Sequence, residues 1–401
     1  MVRRTLDLAR LLGGTGSAFL FGARGTGKTH LVREFLSAQE SVLAFDLLGQ
    51  KEFLRFLHSP GLFREEVMEA LPRKGRLLVL VDEVQRVPAL LNEVHALIND
   101  HAKRVQFILT GSSARRLKRG GANLLAGRAY VSHLHPLTQT EFGQPLKKVL
   151  RYGSLPGLAL GQVDPHLWLE AYTSTYLKEE IQQEALVRRV DSFVRFLDLA
   201  AQLHAEPVNF TRMARQGIAS VPTIQEYFSI LIDTMVAFRL DGWSESVKKQ
   251  LLQAPKFYFF DLGVLNALRG ELGGEPAESS FRYGRLFETL VILEACRRND
   301  YARTGYRLAY WRTSMGMEVD LVLQKNAWTA PVAIEIKSSA DPSDQDLKGL
   351  LAFLKDYPKA QAFCFCRAER KRRAGPKGVV QIVPWQKGLD ALFPQPRPRT
   401  G

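Results

Sequence analysis

Residues 22–29 have the types and spacing that bind nucleotide phosphates. They read G-x-x-x-x-G-K-T without a gap. Glycines let backbone amides turn inward around the phosphates, and a helix beginning at Lys28 would add its positive end. We therefore expect Lys28 to contact the β- and γ-phosphates of ATP and the Thr29 hydroxyl to bind Mg²⁺. The predicted nucleotide-binding residues are Gly22, Ala23, Arg24, Gly25, Thr26, Gly27, Lys28, Thr29 and Asp82.

Two further strand ends supply polar groups for hydrolysis. The apolar run at residues 76–81 ends in Asp82 and Glu83. Asp82 can hold the magnesium ion, and Glu83 can polarise the attacking water as the catalytic base. Thr110 ends the next apolar strand, where its hydroxyl can reach the γ-phosphate or the water. The alternative for Thr110 is a residue that only terminates the strand.

Hydrolysis also needs a cation that neutralises the charge developing on the phosphate, usually an arginine. Arg128 is our first candidate for this catalytic role. Arg115 and Arg116 are alternatives. All three could instead contact solvent or nucleic acid.

A second set of chemical groups lies near the C-terminus. Asp320 lies in an apolar strand, and Glu335 and Lys337 are two apart on the next one, so both project from one face. Glu288, on the preceding helix, is a fourth member. Converging carboxylates repel one another unless a divalent cation neutralises them. We predict a Mg²⁺ or Mn²⁺ site with ligands Glu288, Asp320 and Glu335, and catalysis by Asp320, Glu335 and Lys337; the alternative is a structural Glu–Lys pair beside an unrelated Asp.

The elements that must position these groups divide the chain into three units. Alternating apolar strands and helices in residues 1–141 predict an α/β unit with a parallel sheet covered on both faces. Residues 142–270 predict a helical region with a winged-helix-like module. Residues 271–401 predict a second α/β unit that ends in a basic tail rich in Pro and Arg after Phe393.

The winged-helix prediction depends on residues 209–260. Residues 209–214 predict a first short helix, residues 217–220 a turn, and residues 221–227 the start of a second helix capped by Thr223. Residues 238–240 and 256–260 would form the wing. Such a module can read DNA, or it can be a packing unit.

The sequence resembles two known protein groups in different parts of the chain. Residues 82–88, 109–115 and 124–128 resemble a prokaryotic group of AAA-type ATPases that carry a C-terminal domain of unknown function. The resemblance covers nearly the whole chain. It implies an AAA+-like P-loop core, Lys28 and Thr29 as nucleotide ligands, Asp82 and Glu83 as the Walker B pair and Thr110 as the sensor. By analogy with AAA+ proteins, it also suggests a homo-oligomeric ring.

The Asp320, Glu335 and Lys337 pattern is similar to the PD-(D/E)xK nuclease superfamily, which implies a restriction-endonuclease-like α/β fold for the third unit. The sequence departs from the family pattern at Val319, where proline is usual.

Charge indicates the partner. Lys and Arg number 55 against 41 Asp and Glu, a net charge of +14. Residues 111–128 hold five basic residues and no acid, and residues 367–400 hold nine basic and two acidic residues. Such clusters favour a nucleic acid, which we expect to be DNA, over a basic protein without a polyanionic partner.

Localisation follows from two other features. The chain has only three cysteines, which excludes a disulfide framework and indicates a reducing compartment. No apolar run approaches the roughly 20 residues of a membrane span. We therefore expect a cytoplasmic protein with no membrane partner.

Our preferred hypothesis is an ATPase coupled to a metal-dependent nuclease-like domain acting on DNA. One alternative is an ATP-driven switch whose third unit binds nucleic acid or a protein without cleavage. The other is a signalling or defence ATPase with a protein partner.

Overall fold

A computed structural model describes residues 2–13, 16–113, 115, 117, 127–161, 163–176, 190–246, 250 and 253–394. The basic residues Arg116, Lys118 and Arg119 and most of the tail after Phe393 lie outside these residues.

The first unit contains a five-stranded sheet in which every pairing is parallel. This confirms the predicted parallel sheet and fits a P-loop α/β fold. The strand order is β2-β3-β4-β1-β5. The strands are β1 (Ser17–Phe21), β2 (Val42–Asp46), β3 (Leu77–Asp82), β4 (Val105–Gly111) and β5 (Ala129–His133).

Helices cover both faces of this sheet because successive strand side chains point to opposite sides. Phe19, Val79 and Phe107 pack into a core on one face, and Leu20 and Leu80 pack into a core on the other. The helices are α1 (Leu8–Leu12), α2 (Lys28–Leu36), α3 (Gln50–His58), α4 (Gly61–Glu69) and α5 (Leu90–His101).

The middle region is mainly helical and shares one hydrophobic core with the long helix of the third unit. A single π-helical turn (Tyr172–Tyr176) continues the third of its helices. The helices are α6 (Leu146–Tyr152), α7 (Pro156–Ala159), α8 (Pro165–Ala171), α9 (Val190–Gln202), α10 (Phe210–Ala214), α11 (Val221–Asp233) and α12 (Leu262–Leu268).

The predicted helix-turn-helix corresponds to α10 and α11, with Gly217 in the turn at a φ of +76°. The predicted cap was wrong. The Ser220 side chain accepts the hydrogen bond from the Thr223 amide, because Ser220 keeps an extended backbone and Thr223 is already helical.

The two predicted wing strands pair antiparallel as β6 (Ala237–Gly242) and β7 (Lys256–Phe259). The end of β6 also pairs in parallel with a strand of the third unit. The hairpin is therefore the edge of the C-terminal sheet, and the winged helix as a DNA reader stays a prediction.

The third unit opens with the longest described helix, α13 (Phe281–Ala302), whose first turn is capped by Ser280. A mixed sheet of order β12-β13-β11-β10-β9-β8-β6-β7 follows. Sequence analysis missed β12, β13 and the last helix. The elements are β8 (Arg307–Arg312), β9 (Glu318–Gln324), β10 (Val332–Ile336), α14 (Lys348–Asp356), β11 (Gln361–Cys366), β12 (Arg372–Ala374), β13 (Val380–Pro384) and α15 (Trp385–Leu392).

Within the part of the chain that the structure describes, every helix is too short or too polar to cross a lipid bilayer.

Candidate functional site

The phosphate-binding loop (residues 22–29) joins β1 to α2 and requires its glycines. Gly25 and Gly27 have φ angles of +83° and +91°, which side-chain-bearing residues rarely adopt. A Cβ atom on Gly22 would lie 2.5 Å from the Leu134 carbonyl oxygen, so no larger residue fits there. The loop therefore adopts the tight turn that the sequence predicted.

Lys28 forms a hydrogen bond within the phosphate-binding loop, and Thr29 forms one with the end of β3. The buried Lys28 Nζ donates to the Gly22 carbonyl oxygen at 2.7 Å, across the mouth of the loop. Thr29 Oγ1 donates to Asp82 Oδ2 at 3.2 Å. A hydroxyl and a carboxylate side by side are hard oxygen donors of the kind that Mg²⁺ prefers. This pair therefore fits the magnesium ion of a bound nucleotide.

Thr110 contacts both acidic residues at the end of β3, Asp82 and Glu83. Its fully buried hydroxyl donates to Asp82 Oδ1 and accepts a hydrogen bond from the Glu83 amide at 3.2 Å. Burial raises the pKa of Asp82, and the hydroxyl groups of Thr110 and Thr29 oppose this rise. The charged form of Asp82 is costly at this position, so a cation would stabilise it.

Glu83 has an unusual backbone, with φ +58° and ψ +47°. Non-glycine residues held in this left-handed region cluster at functional sites. Its Oε2 atom accepts a hydrogen bond from Gln85 Nε2, which also donates to Ser112 Oγ at 3.2 Å. Gly111 leaves room for Gln85, since a Cβ there would lie 2.4 Å from Gln85 Oε1. Gln85 was not predicted as a site residue from the sequence, although it lies only two residues after Glu83.

The structure describes two of the three candidate arginines, Arg128 and Arg115. Arg128 is exposed just before β5, whose first residue pairs with Ser17 at the start of β1. The phosphate-binding loop follows the other end of β1, roughly 17 Å away for a five-residue strand. This position disfavours Arg128 as a phosphate ligand in the nucleotide site of its own chain, and its catalytic role stays a prediction.

Arg115 is engaged elsewhere. Its buried side chain pairs with Asp233 at 2.9 Å and with Glu226 at 3.1 Å, both on α11. This pairing disfavours Arg115 as the phosphate ligand. It also places Glu226, on the second helix of the predicted helix-turn-helix, against the ATPase unit.

Four acids from α13, β9 and β10 meet beside the C-terminal sheet; we call Glu288, Glu318, Asp320 and Glu335 the carboxylate cluster. The β9–β10 register pairs Ile334 with Leu321, so Glu335 and Asp320 come next to each other. Asp320 Oδ2 accepts the Ile336 amide at 2.7 Å, and Lys337 Nζ donates to Glu335 Oε1 at 2.7 Å. Asp320, Glu335 and Lys337 of the predicted set therefore lie close together.

The cluster is electrostatically costly. Burial and then the charge of Asp320 raise the pKa of Glu335 well above its usual range. The same two causes raise the pKa of Glu288 to about 7. Glu335 Oε2 is buried and has no hydrogen-bond partner among the described residues. An orphaned acceptor of this kind fits a cation or a water molecule.

The predicted three-carboxylate metal site is not formed. In the described residues, no three Asp, Glu, His or Cys side chains lie close enough together to hold a metal ion. The reason is that Glu288 is directed to the Tyr258 hydroxyl, at 3.5 Å, and Lys337 occupies one Glu335 oxygen. Mg²⁺ commonly takes one or two carboxylates and keeps several waters, so Asp320 and Glu335 still fit it. Metal binding there stays a prediction.

Arg4, which was not predicted from the sequence, joins the phosphate-binding loop to the C-terminal end of α13. Its largely buried side chain donates to the Thr26 carbonyl oxygen in the loop at 2.8 Å. It also donates to Glu141 Oε1 at 3.1 Å and to the Tyr301 hydroxyl at 3.2 Å. No motif marks Arg4 in the sequence.

Family models match three consecutive parts of the chain, each under half of its length. Residues 15–143 match an AAA domain. Residues 143–274 match the domain of unknown function DUF8612, and residues 283–387 match the domain of unknown function DUF4143. The AAA domain indicates a nucleotide-binding ATPase core.

Relatives extend the similarity beyond single domains. Uncharacterized proteins of Mycobacterium bovis and Mycobacterium tuberculosis are each 26% identical over 269 residues, 66% of this chain. The match spans about 60% of the length of those two relatives. An uncharacterized protein of Haemophilus influenzae is 23% identical over 355 residues, covering 80% of this chain and 84% of its own.

One solved structure with weak similarity is that of Drosophila ORC bound to AT-rich DNA and Cdc6. The match has 10% identity, a TM-score of 0.24, and coverage of 66% of this chain and 88% of that chain. A score this low supports no inference about fold or partner.

Proposed function

We propose that the chain hydrolyses ATP with Mg²⁺ and that its nucleotide site controls a metal-dependent nuclease-like unit acting on DNA. The observation that carries this proposal is the position of α13. One end of this helix contacts the residues that hold the phosphate-binding loop, and the other end carries Glu288 of the carboxylate cluster.

The contacts at the C-terminal end of α13 are numerous. Tyr301 accepts from Arg4, which holds the Thr26 carbonyl of the loop. One turn earlier, Arg297 donates to the Leu137 carbonyl oxygen at 3.1 Å and Glu294 accepts the Gln139 amide at 3.0 Å. The helix is therefore fixed to the ATPase unit through several hydrogen bonds rather than one.

The opposite end of α13 approaches the second site. Glu288 lies thirteen residues before Tyr301, roughly 20 Å along an α-helix. A helix packed on both sides moves as a unit, so a shift of the loop displaces Glu288 relative to Asp320 and Glu335. This geometry gives ATP binding a physical route to the cluster.

At the nucleotide site each residue has one task. Lys28 would neutralise the phosphates, and Thr29 and Asp82 would hold the magnesium ion. Glu83 orients the attacking water, and Thr110 fixes both acids of β3. Magnesium supplies charge neutralisation on the phosphates when it is bound.

At the C-terminal site, Asp320 and Glu335 would hold Mg²⁺ or Mn²⁺. A metal ion held there would supply an acidified water, and Lys337 would stabilise negative charge on the scissile phosphate. The net charge of +14 supports a polyanionic substrate such as DNA.

A second candidate is an ATP-driven switch whose C-terminal unit binds nucleic acid or a protein without cleaving it. The pairing of Lys337 with Glu335 favours this candidate, because it neutralises one of the two acids that a metal requires.

A cleavage assay separates the two candidates. Labelled single-stranded, duplex and branched DNA is incubated with the full chain and Mn²⁺, with and without ATP. We expect cleavage that ATP alters, loss of cleavage but not of ATP hydrolysis in Asp320→Asn, and little effect of Asp344→Asn, a matched exposed acid. DNA binding without cleavage of any substrate would replace the nuclease by the switch.

A further inference from the structure

The carboxylate cluster receives a side chain from outside the C-terminal unit. Lys256 lies on β7, before the DUF4143 match at residues 283–387 begins. Its Nζ atom forms an ion pair with Glu318 Oε1, and the lysine is only 4% exposed. Strand β7 reaches this position because β6 joins the hairpin to β8 in the eight-stranded sheet.

Glu318 is the natural competitor of Asp320 for a cation. The two acids are two residues apart on β9, so both project from the same face. Both oxygens of Glu318 are engaged, however: Oε1 with Lys256, and Oε2 with Arg312 at 3.5 Å. The buried Lys256 is the firmer of these partners, since Arg312 is largely exposed and screened by water.

We propose that Lys256 is a positioning residue that keeps Glu318 out of the metal site and thereby sets the affinity of the cluster for a divalent cation. This inference rests on the proposed metal-binding function of Asp320 and Glu335. The site is then built from two units, because Lys256 and Tyr258 come from the middle region.

The physical consequence has a definite sign. Removing Lys256 leaves Glu318 with only the exposed Arg312 as a partner and adds net negative charge beside Asp320, so a divalent cation binds more tightly. Removing the Glu318 charge leaves Lys256 as an uncompensated positive charge, so the cation binds more weakly. Removing both restores the original balance. A lysine that only supported the fold would weaken binding in every one of these variants.

The test measures Mn²⁺ affinity by calorimetry in the full chain, without nucleotide, in an Asp82→Asn background that removes the first metal site. We expect Lys256→Met to tighten Mn²⁺ binding by about tenfold and Glu318→Gln to weaken it by about tenfold. The double variant should return to near the starting affinity. Lys256→Arg, which keeps the charge, should also stay near it.

The outcomes are distinguishable. If the starting chain binds no Mn²⁺ at all, the proposed C-terminal metal site fails and this inference fails with it. If the chain binds Mn²⁺ but Lys256→Met leaves the affinity unchanged or weakens it, only the role of Lys256 is overturned. Thermal denaturation of each variant identifies a loss of binding that comes from unfolding. If Lys256→Met unfolds, Lys256→Gln, which removes the charge but keeps a polar side chain, tests the same expected tightening in a folded chain.

Discussion

Arg4 donates a hydrogen bond to the Tyr301 hydroxyl oxygen over 3.2 Å, although 297 positions separate the two residues in the chain. The same guanidinium group donates to the Thr26 carbonyl oxygen of the phosphate-binding loop. The start of the chain therefore bridges the nucleotide site and the last turn of α13. Arg297 and Glu294 of the same helix make further hydrogen bonds to the ATPase unit.

Tyr301→Phe should weaken this coupling while leaving nucleotide binding intact. The change removes the hydroxyl that accepts hydrogen bonds from Arg4 and from the His135 amide, and it costs roughly 1–3 kcal/mol of unfolding free energy. In the wild-type chain, a non-hydrolysable ATP analogue should alter amide hydrogen exchange in residues 283–292, around Glu288. The variant should lose most of that response. Tyr306→Phe is the matched control, and an equal response in Tyr301→Phe would contradict the route through Arg4.

Glu83→Gln should separate nucleotide binding from hydrolysis. The amide keeps the size of the side chain but cannot accept a proton or orient water as a carboxylate does. We expect phosphate release to fall by roughly 10²- to 10⁴-fold, with ATP affinity close to that of the wild type. Glu69→Gln, an exposed acid on α4, is the control. Wild-type turnover in Glu83→Gln would mean that another group is the base.

His204 should make stability depend on pH. The Phe259 amide donates to Nδ1 at 3.1 Å, so Nε2 carries the proton and donates to Thr289 Oγ1 at 3.0 Å. Burial, followed by the charges of Arg269, Arg285 and Lys256, lowers the pKa of this imidazole well below its usual range. The native ring thus stays neutral where the unfolded one is charged.

The sign follows from proton binding. Below a pH of about 6.5 the unfolded chain takes up a proton that the native chain excludes, so stability is complete above that pH and falls as the pH drops. We expect His204 to contribute a slope of up to about 1.4 kcal/mol per pH unit. Denaturant unfolding between pH 7.5 and 5 should show a shallower slope for His204→Gln than for the exposed control His58→Gln. Identical slopes would contradict the assignment.

Sequence analysis located the groups whose positions follow from local pattern. The glycine spacing fixes the loop at residues 22–29, and apolar strands ending in Asp82 and Thr110 bring those two side chains to one sheet edge because parallel strands end together. Glu335 and Lys337 project to the same side because they are two residues apart along extended backbone. Each of these predictions needed only a few consecutive residues and the known periodicity of a loop motif or strand.

The contacts between units could not be predicted from the sequence in this way. Lys256 meets Glu318 across 62 positions and Arg4 meets Tyr301 across 297, and neither pair has a spacing rule. The wing strands were predicted as a separate hairpin because their alternation cannot reveal which sheet edge they join. Glu288 was assigned as a metal ligand because its position on the helix says nothing about the competing Tyr258 hydroxyl.

Binding of DNA should depend steeply on salt, because each phosphate contact releases counterions. Arg370, Lys371 and Arg373 are exposed, whereas the neighbouring Arg372 is paired with Asp341 and the Pro342 carbonyl. Replacing the three exposed residues with serine should reduce the slope of log affinity against log salt by about 2 to 3 for duplex DNA. Fluorescence anisotropy at several salt concentrations measures this slope. Replacing Lys51, Arg73 and Lys103 of the ATPase unit, which are also exposed, provides a control of equal charge. An unchanged slope in the first variant, or salt-independent binding by the wild type, would favour a protein partner over DNA.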